Sequence, residues 1–174
     1  ATKMLPNGAP TFDDRFRSFV SAIKLVYAST YMRQARAYIQ STNHRPEEEK
    51  MALLIQPVVG RLHGDRYYPH FSGVGRSYNY YPAGGAIPED GVVNAALGLG
   101  KTIVDGGVSL RFTPKYPGIL PQFTGVRDML SLSQRSLWAL DMSSGAGAGM
   151  DEEEDQFLVR LSLEDAEHDG ILEW

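Results

Sequence analysis

Apolar residues recur at three- and four-residue intervals from Phe12 to Tyr38: Phe12, Phe16, Phe19, Val20, Ile23, Val26 and Tyr27, then Tyr31, Ala35 and Tyr38. This is the period of a helix, and it predicts one long helix or two consecutive ones over 11–41. Thr11, three residues ahead of Asp14, supplies a start close to a capping box. Arg15, Arg17, Arg33 and Arg36 fall mostly on the polar side and read as a solvated face. After a polar turn over 43–50 the period changes. Met51 to Val59 is a continuous apolar run with β-branched residues, which predicts a buried strand. Gln56 is its odd polar residue, and Pro57 ends ladder pairing there or marks an edge. Residues 60–65 read as a turn.

Tyr67 to Tyr81 is aromatic and alternating, with Gly73 and Gly75 inside it, a pattern that predicts a bulge or a close backbone approach. A loop over 82–91 leads to predicted strands at Val92–Leu97 and Val108–Thr113. Pro114, Pro117 and Pro121 make an extended connection. Gly125 to Asp141 reads as a short amphipathic helix with Met129, Leu130, Leu137 and Leu140 on its apolar side. Residues 143–150 form a Gly/Ser/Ala linker. Gln156 to Leu163 alternates as a strand, either at an edge or in a module whose remainder is missing. There is no internal repeat. The order predicts an α+β fold with an N-terminal helical segment packed on a mostly antiparallel sheet. The expected organisation is a leader over 1–10, a folded body over 11–142, the linker, and an acidic segment over 151–174.

Composition narrows the classes. The chain has 174 residues, 43% hydrophobic and 22% charged, which suits one globular domain. It has no run long enough to span a membrane and no signal peptide. With no cysteine there is neither a disulfide nor a Cys-based metal site, which fits a cytoplasmic protein. The missing initiator Met suggests an excised domain. The net charge of −4 hides an asymmetry: residues 151–174 hold ten acids against one base, whereas residues 1–150 hold sixteen bases against eleven acids. A mildly basic body can face phosphates. The acidic end reads as solvated and loosely ordered.

Candidate chemistry centres on residues 94–107, NAALGLGKTIVDGG. Gly100, Lys101 and Thr102 match the end of a G-x-x-x-x-G-K-[ST] phosphate loop, but Ala95 stands where the opening glycine belongs. Such a loop must also feed a helix. Ile103-Val-Asp-Gly-Gly107 is a poor helix start and reads as a short β-like piece before another strand. What remains is a glycine turn that can approach a phosphate, or a plain turn with an exposed lysine.

Three blocks extend the pattern: Leu54-Ile-Gln-Pro-Val-Val59, Ser72-Gly-Val-Gly-Arg-Ser77, and Leu97-Gly-Leu-Gly-Lys101 with Val104-Asp-Gly106. In this order they resemble the PEP/pyruvate-binding domain of the phosphoenolpyruvate synthase and pyruvate phosphate dikinase family, over roughly residues 20–120. The resemblance implies an ATP-grasp fold, of which this chain carries the later part, with ATP and Mg²⁺ as ligands. In the parent enzymes ATP phosphorylates a histidine, which passes the phosphate to pyruvate, so pyruvate and PEP are implied as partners through domains outside this chain. The mobile phosphohistidine motif is absent, and His44, His63, His70 and His168 read as surface or turn residues.

The resemblance places Gln56, Pro57 and Val58 on the strand whose end contacts adenine, largely through backbone groups. It places Lys101 where the family has a Mg²⁺-holding glutamate. A lysine cannot ligate Mg²⁺, though it can meet a phosphate as a point charge. Arg111 matches a phosphate-facing position. Asn94 is a metal-ligand or strand-end candidate, and Asp105 is the nearest acid to replace the lost glutamate.

The leading expectation is therefore the ATP-binding portion of a kinase-type phosphotransferase, inactive as an isolated chain. A degenerate, non-catalytic or regulatory module is the alternative, and a P-loop NTPase the third. Tyr67, Tyr68, Tyr78, Tyr80, Tyr81 and Arg76 also make a basic-aromatic stretch of the kind that binds single-stranded nucleic acid. Packing of the tyrosines explains them more simply, and neither a nucleic-acid nor a membrane partner is expected.

Overall fold

The computed structural model describes residues 3–41, 50–143 and 157–173. The chain divides into two compact units, residues 1–58 with 141–157, and residues 59–140 with 158–174. His44 and most of the polar turn, the Gly/Ser/Ala linker beyond Ser143 and the acidic run at 151–156 lie outside the described residues.

In the first unit the helical period gives two consecutive helices, α1 (Phe12–Ala28) and α2 (Arg33–Gln40), joined by a single 3₁₀ turn at Ser29–Tyr31. Thr11 caps α1 as expected: its Oγ1 accepts the Asp14 N–H at 3.1 Å, and its hydroxyl donates to the Asp14 carboxylate at 2.6 Å. The periodicity does not translate into burial. α1 buries no residue, and Phe12 and Phe16 stack on its exposed side with ring centroids 6.0 Å apart.

The stretch from Met51 to Val59 is not a buried strand. It has no regular structure, and Leu54, Ile55 and Val59 are exposed. A strand exists only through its ladder. Among the described residues no strand pairs with this stretch, and Pro57 removes one donor from it.

The second unit is built on two sheets. β1 (Arg61–His63), β2 (Arg66–Tyr68), β6 (Ser136–Asp141) and β7 (Leu158–Ser162) make a four-stranded sheet in the order β1-β2-β6-β7. β3 (Phe71–Arg76), β4 (Val92–Leu97) and β5 (Leu110–Phe112) make a three-stranded sheet with β4 at its centre. The paired registers of β1–β2, β3–β4, β4–β5 and β6–β7 are all antiparallel, so the fold is α+β with mostly antiparallel sheets. Short helices α3 (Lys101–Val104), α4 (Val126–Leu132) and α5 (Leu163–His168) complete it.

Several expectations are corrected here. The expected turn over 60–65 contains strand β1, and the turn itself is the two-residue Gly64-Asp65, with Gly64 at φ 58°. The aromatic stretch 67–81 is two strands in different sheets, separated at Pro69-His70. β3 pairs without a bulge, so Gly73 and Gly75 mark none. A Cβ at Gly73 would stand 3.2 Å from the Asn94 carbonyl oxygen, the close approach that keeps this position small. The expected helix over 125–141 stops at Leu132, and its second half is β6. There Leu137, Ala139 and Leu140 are buried because β7 supplies the ladder.

The acidic end is not all solvated. β7 and α5 fold into the second unit, and Ser162 caps α5 by accepting the Asp165 N–H at 3.1 Å. Asp165 and Asp169 then receive Arg66 at 3.0 and 2.7 Å, and the buried Tyr68 hydroxyl donates to Asp169 at 2.6 Å. The Ser162 N–H and hydroxyl hold the Asp165 carboxyl below its ordinary range, with Arg66 adding to the effect. Burial, then the bond to Asp169, pushes the Tyr68 phenol up.

A signed pH dependence follows by linkage. Asp165, with a lowered folded pKa, contributes stability that is complete above about pH 4 and is lost as pH falls below that. Tyr68, with a raised one, contributes stability that is complete below about pH 10 and is lost as pH rises beyond it. Urea titrations across pH should show both limbs. Absorbance titration should show the Tyr68 phenol still protonated above the ordinary range of a phenol. A Tyr68 that ionises in the ordinary phenol range would contradict the network.

Candidate functional site

The glycine turn after β4 is a docking element. Gly98 sits at φ 76°, and a Cβ there would lie 2.8 Å from the Trp138 carbonyl oxygen and 2.9 Å from the Leu137 side chain. The Leu99 N–H donates to that same Trp138 carbonyl at 2.9 Å, and the Ser72 hydroxyl donates to the Gly98 carbonyl at 2.7 Å. Gly98 is thus glycine so that the turn can lie against β6. Gly100 has φ −61°, and a Cβ there would meet only the Ser72 Cβ at 3.7 Å.

Lys101 opens α3, a helical turn where a β-like piece was expected. The turn closes at once: the Gly107 N–H returns to the Thr102 carbonyl at 2.8 Å, and Gly106 takes φ 72°. Lys101 lies largely buried. Its ammonium is 3.0 Å from the Asp105 carboxylate and 5.8 Å from the centroid of the Trp138 ring.

The second cluster lies on the three-stranded sheet. Asn94 is opposite Val74 on β3 and opposite Arg111 on β5, so Asn94 and Arg111 share one face of the sheet with Arg76, Val92 and Ser72. Arg111 is half-buried. Its backbone N–H donates to Gln122 Oε1 at 2.9 Å, and Gln122 Nε2 donates to the Ser109 carbonyl at 3.0 Å, so a side-chain amide stands in for a further strand along β5. The Arg111 guanidinium donates to Asn79 Oδ1 at 3.1 Å. Among the described residues it has no carboxylate partner. It lines a small pocket with Asn79, Tyr81, Thr113 and Tyr116, whose cavity volume of about 10 Å³ holds roughly one water molecule.

The structure therefore brings Asn94 to Arg111 and Lys101 to Asp105. Gln56, Pro57 and Val58 belong to the first unit and are exposed. Among the described residues no three His, Cys, Asp or Glu side chains cluster to hold a metal. Asn94 shares its sheet face with Arg111 and Asp105 is paired with an ammonium, and a cation near each opposes the binding of a dication. These residues do not fit a protein-held Mg²⁺.

Of the histidines, His63 packs on Tyr68 with ring centroids 4.9 Å apart, and its Nε2 is buried without a partner; His70 and His168 are exposed. Tyr68 is core, whereas Tyr78, Tyr80 and Tyr81 are exposed, so packing accounts for only part of the aromatic stretch. Sequence reasoning passed over Asn79, Gln122 and Trp138. Asn79 had one local signal, a polar residue placed to make an Asx turn with the residue two ahead, and its Oδ1 does accept the Tyr81 N–H at 3.1 Å.

An α+β unit that presents on a sheet face a guanidinium with no carboxylate partner among the described residues suits an anionic ligand. The chain belongs to the pyruvate phosphate dikinase, AMP/ATP-binding domain family, whose model matches residues 14–166. That span reaches beyond the 20–120 of the motif resemblance at both ends. No curated protein and no solved structure matches the chain. Among the described residues no helix is long and apolar enough to cross a membrane.

Proposed function

We propose that this chain is the ATP-binding portion of a phosphoenolpyruvate synthase-like or pyruvate phosphate dikinase-like phosphotransferase. Groups outside it would carry phosphate to pyruvate, and the setting would be cytoplasmic. The observation that carries the reading is Arg111, a half-buried cation facing a neutral amide rather than an acid, in a chain of an AMP/ATP-binding family. Arg111 would meet phosphate oxygens through paired N–H donors. Lys101 would add a point charge by leaving Asp105, and Asn94 would donate an amide N–H on the same face as Arg111. Catalytic benefit would come from neutralising and positioning phosphates. In this reading Gln56, Pro57 and Val58 supply backbone contacts to adenine.

Calorimetry with ATP, with and without Mg²⁺, tests the reading. Arg111→Ala should weaken ATP binding ~10- to 100-fold, the loss expected for one charge-assisted contact. Affinity unchanged in Arg111→Ala would overturn the phosphate assignment. Binding that requires Mg²⁺ and is lost in Asn94→Ala or Asp105→Ala would restore the metal role of those residues. The isolated chain should not consume ATP when pyruvate is added. The alternative, a non-catalytic module, is favoured by one contact: Asp105, the acid nearest the expected magnesium position, is already paired with Lys101. Wild-type protein that binds no nucleotide would support it.

A further inference from the structure

We propose that Asn79 is a positioning residue for Arg111, and that its being a neutral amide keeps the guanidinium available to an anion. This rests on the phosphate-binding reading of Arg111. Asn79 is 3% exposed and sits in the turn after β3. Its N–H donates to the Pro88 carbonyl at 2.7 Å, which fixes the residue from the far side of the loop. Its Oδ1 receives two donors, the Tyr81 backbone N–H and the Arg111 guanidinium, each at 3.1 Å. Neither group can accept a hydrogen bond, so the amide orientation is set by chemistry: the oxygen must face both. The Asn79 side chain therefore couples the fold of the loop to the aim of the guanidinium, across 32 residues of sequence.

The choice of an amide has an electrostatic consequence. An aspartate could accept the same two hydrogen bonds in the same volume. It would also neutralise Arg111 in a half-buried place, where a charge pair is screened less than at the surface. Asparagine gives the geometry without cancelling the charge. Asn79 thus sets both the direction and the availability of the charge, although it need not touch a ligand.

Asn79→Asp and Asn79→Ala separate these roles from mere folding. Asn79→Asp should melt at or above the wild-type temperature and bind ATP at least tenfold more weakly. Asn79→Ala should weaken binding less and lose the restraint on the guanidinium. That restraint is read in ligand-free protein by the separate, slowly exchanging Nη resonances of Arg111, which should be distinct in wild type and averaged in Asn79→Ala. Asn79→Asp binding ATP as wild type does would overturn the electrostatic half. Unchanged Nη resonances in Asn79→Ala would overturn the positioning half. Wild type that binds no ATP, with Nη resonances that still collapse in Asn79→Ala, would instead sink the ATP reading and leave the positioning contact standing.

Discussion

Gly98→Ala should cost the protein roughly 3 kcal/mol, the sum of a left-handed residue acquiring a Cβ and an overpacked contact. For a chain of this size that is a fall in melting temperature of about 6–12 °C. The cause is specific. At φ 76° the new methyl would be driven to 2.8 Å from the Trp138 carbonyl oxygen, and the Leu99 N–H bond to that oxygen would have to yield with it. Gly100→Ala is the paired control. Its φ of −61° and its 3.7 Å neighbour accommodate a methyl, so stability should stay within about 0.5 kcal/mol. Thermal melts of the two variants settle the order; equal melting would mean that Gly98 does not dock the turn. ATP binding adds a second discrimination. A phosphate loop needs backbone access at Gly100, so a stable Gly100→Ala that loses ATP would revive that reading, and one that binds normally would close it.

Asp169→Ala should rank beside it. Asp169 is the acceptor at which Arg66, at 2.7 Å, and the buried Tyr68 hydroxyl, at 2.6 Å, converge, and its side chain is 6% exposed. Removing one partner of a buried pair leaves the other charge uncompensated, a loss of about 3–5 kcal/mol. Arg66 is a quarter exposed and keeps Asp165, so the lower end of that range applies, about 3 kcal/mol. Arg66→Met with Asp169→Leu should recover only the part of the loss due to the unpaired guanidinium, because replacing both charged members by apolar groups costs less than breaking the pair, while the buried Tyr68 hydroxyl still lacks its acceptor. Chemical denaturation of the single and double variants measures this. A single variant as stable as wild type would show that the C-terminal segment is not anchored through Asp169.

What could be read beforehand divides by sequence distance. The cap at Thr11 and Asp14, the two helices and strand β4 were legible because each signal lies within a few residues of what it specifies. β6 was hidden. Leu137 and Leu140 are three apart and suit a helix, while Leu137 and Ala139 are two apart and suit a strand; the partner β7, about twenty residues on, decided between them. Met51–Val59 failed in the opposite way, having strand-forming residues but no described partner. In the acidic end the strand over 156–163 was legible and is β7, but the anchoring of Asp165 and Asp169 was not, because Arg66, the cation that fixes them, lies about a hundred residues earlier. Within the candidate site, Arg111 and Asn94 could be singled out as residue types. Their placement side by side depends on the register of three strands, and the hold of Asn79 on Arg111 depends on a loop.

One contact in the second unit has a consequence for measurement. β5 pairs with β4 only at Val93, Asn94 and Ala95, so Leu97 lies past its reach. Gln134 takes the place of a strand there: its Oε1 accepts the Leu97 N–H at 2.8 Å, while its Nε2 donates to the Leu97 carbonyl at 3.0 Å and the Ser136 carbonyl at 2.9 Å. One side chain thereby links the end of β4 to the start of β6. The exchange of the Leu97 amide proton with deuterium is gated by this side chain and not by a neighbouring backbone, so its protection factor reports the opening of the joint between the two sheets apart from global unfolding.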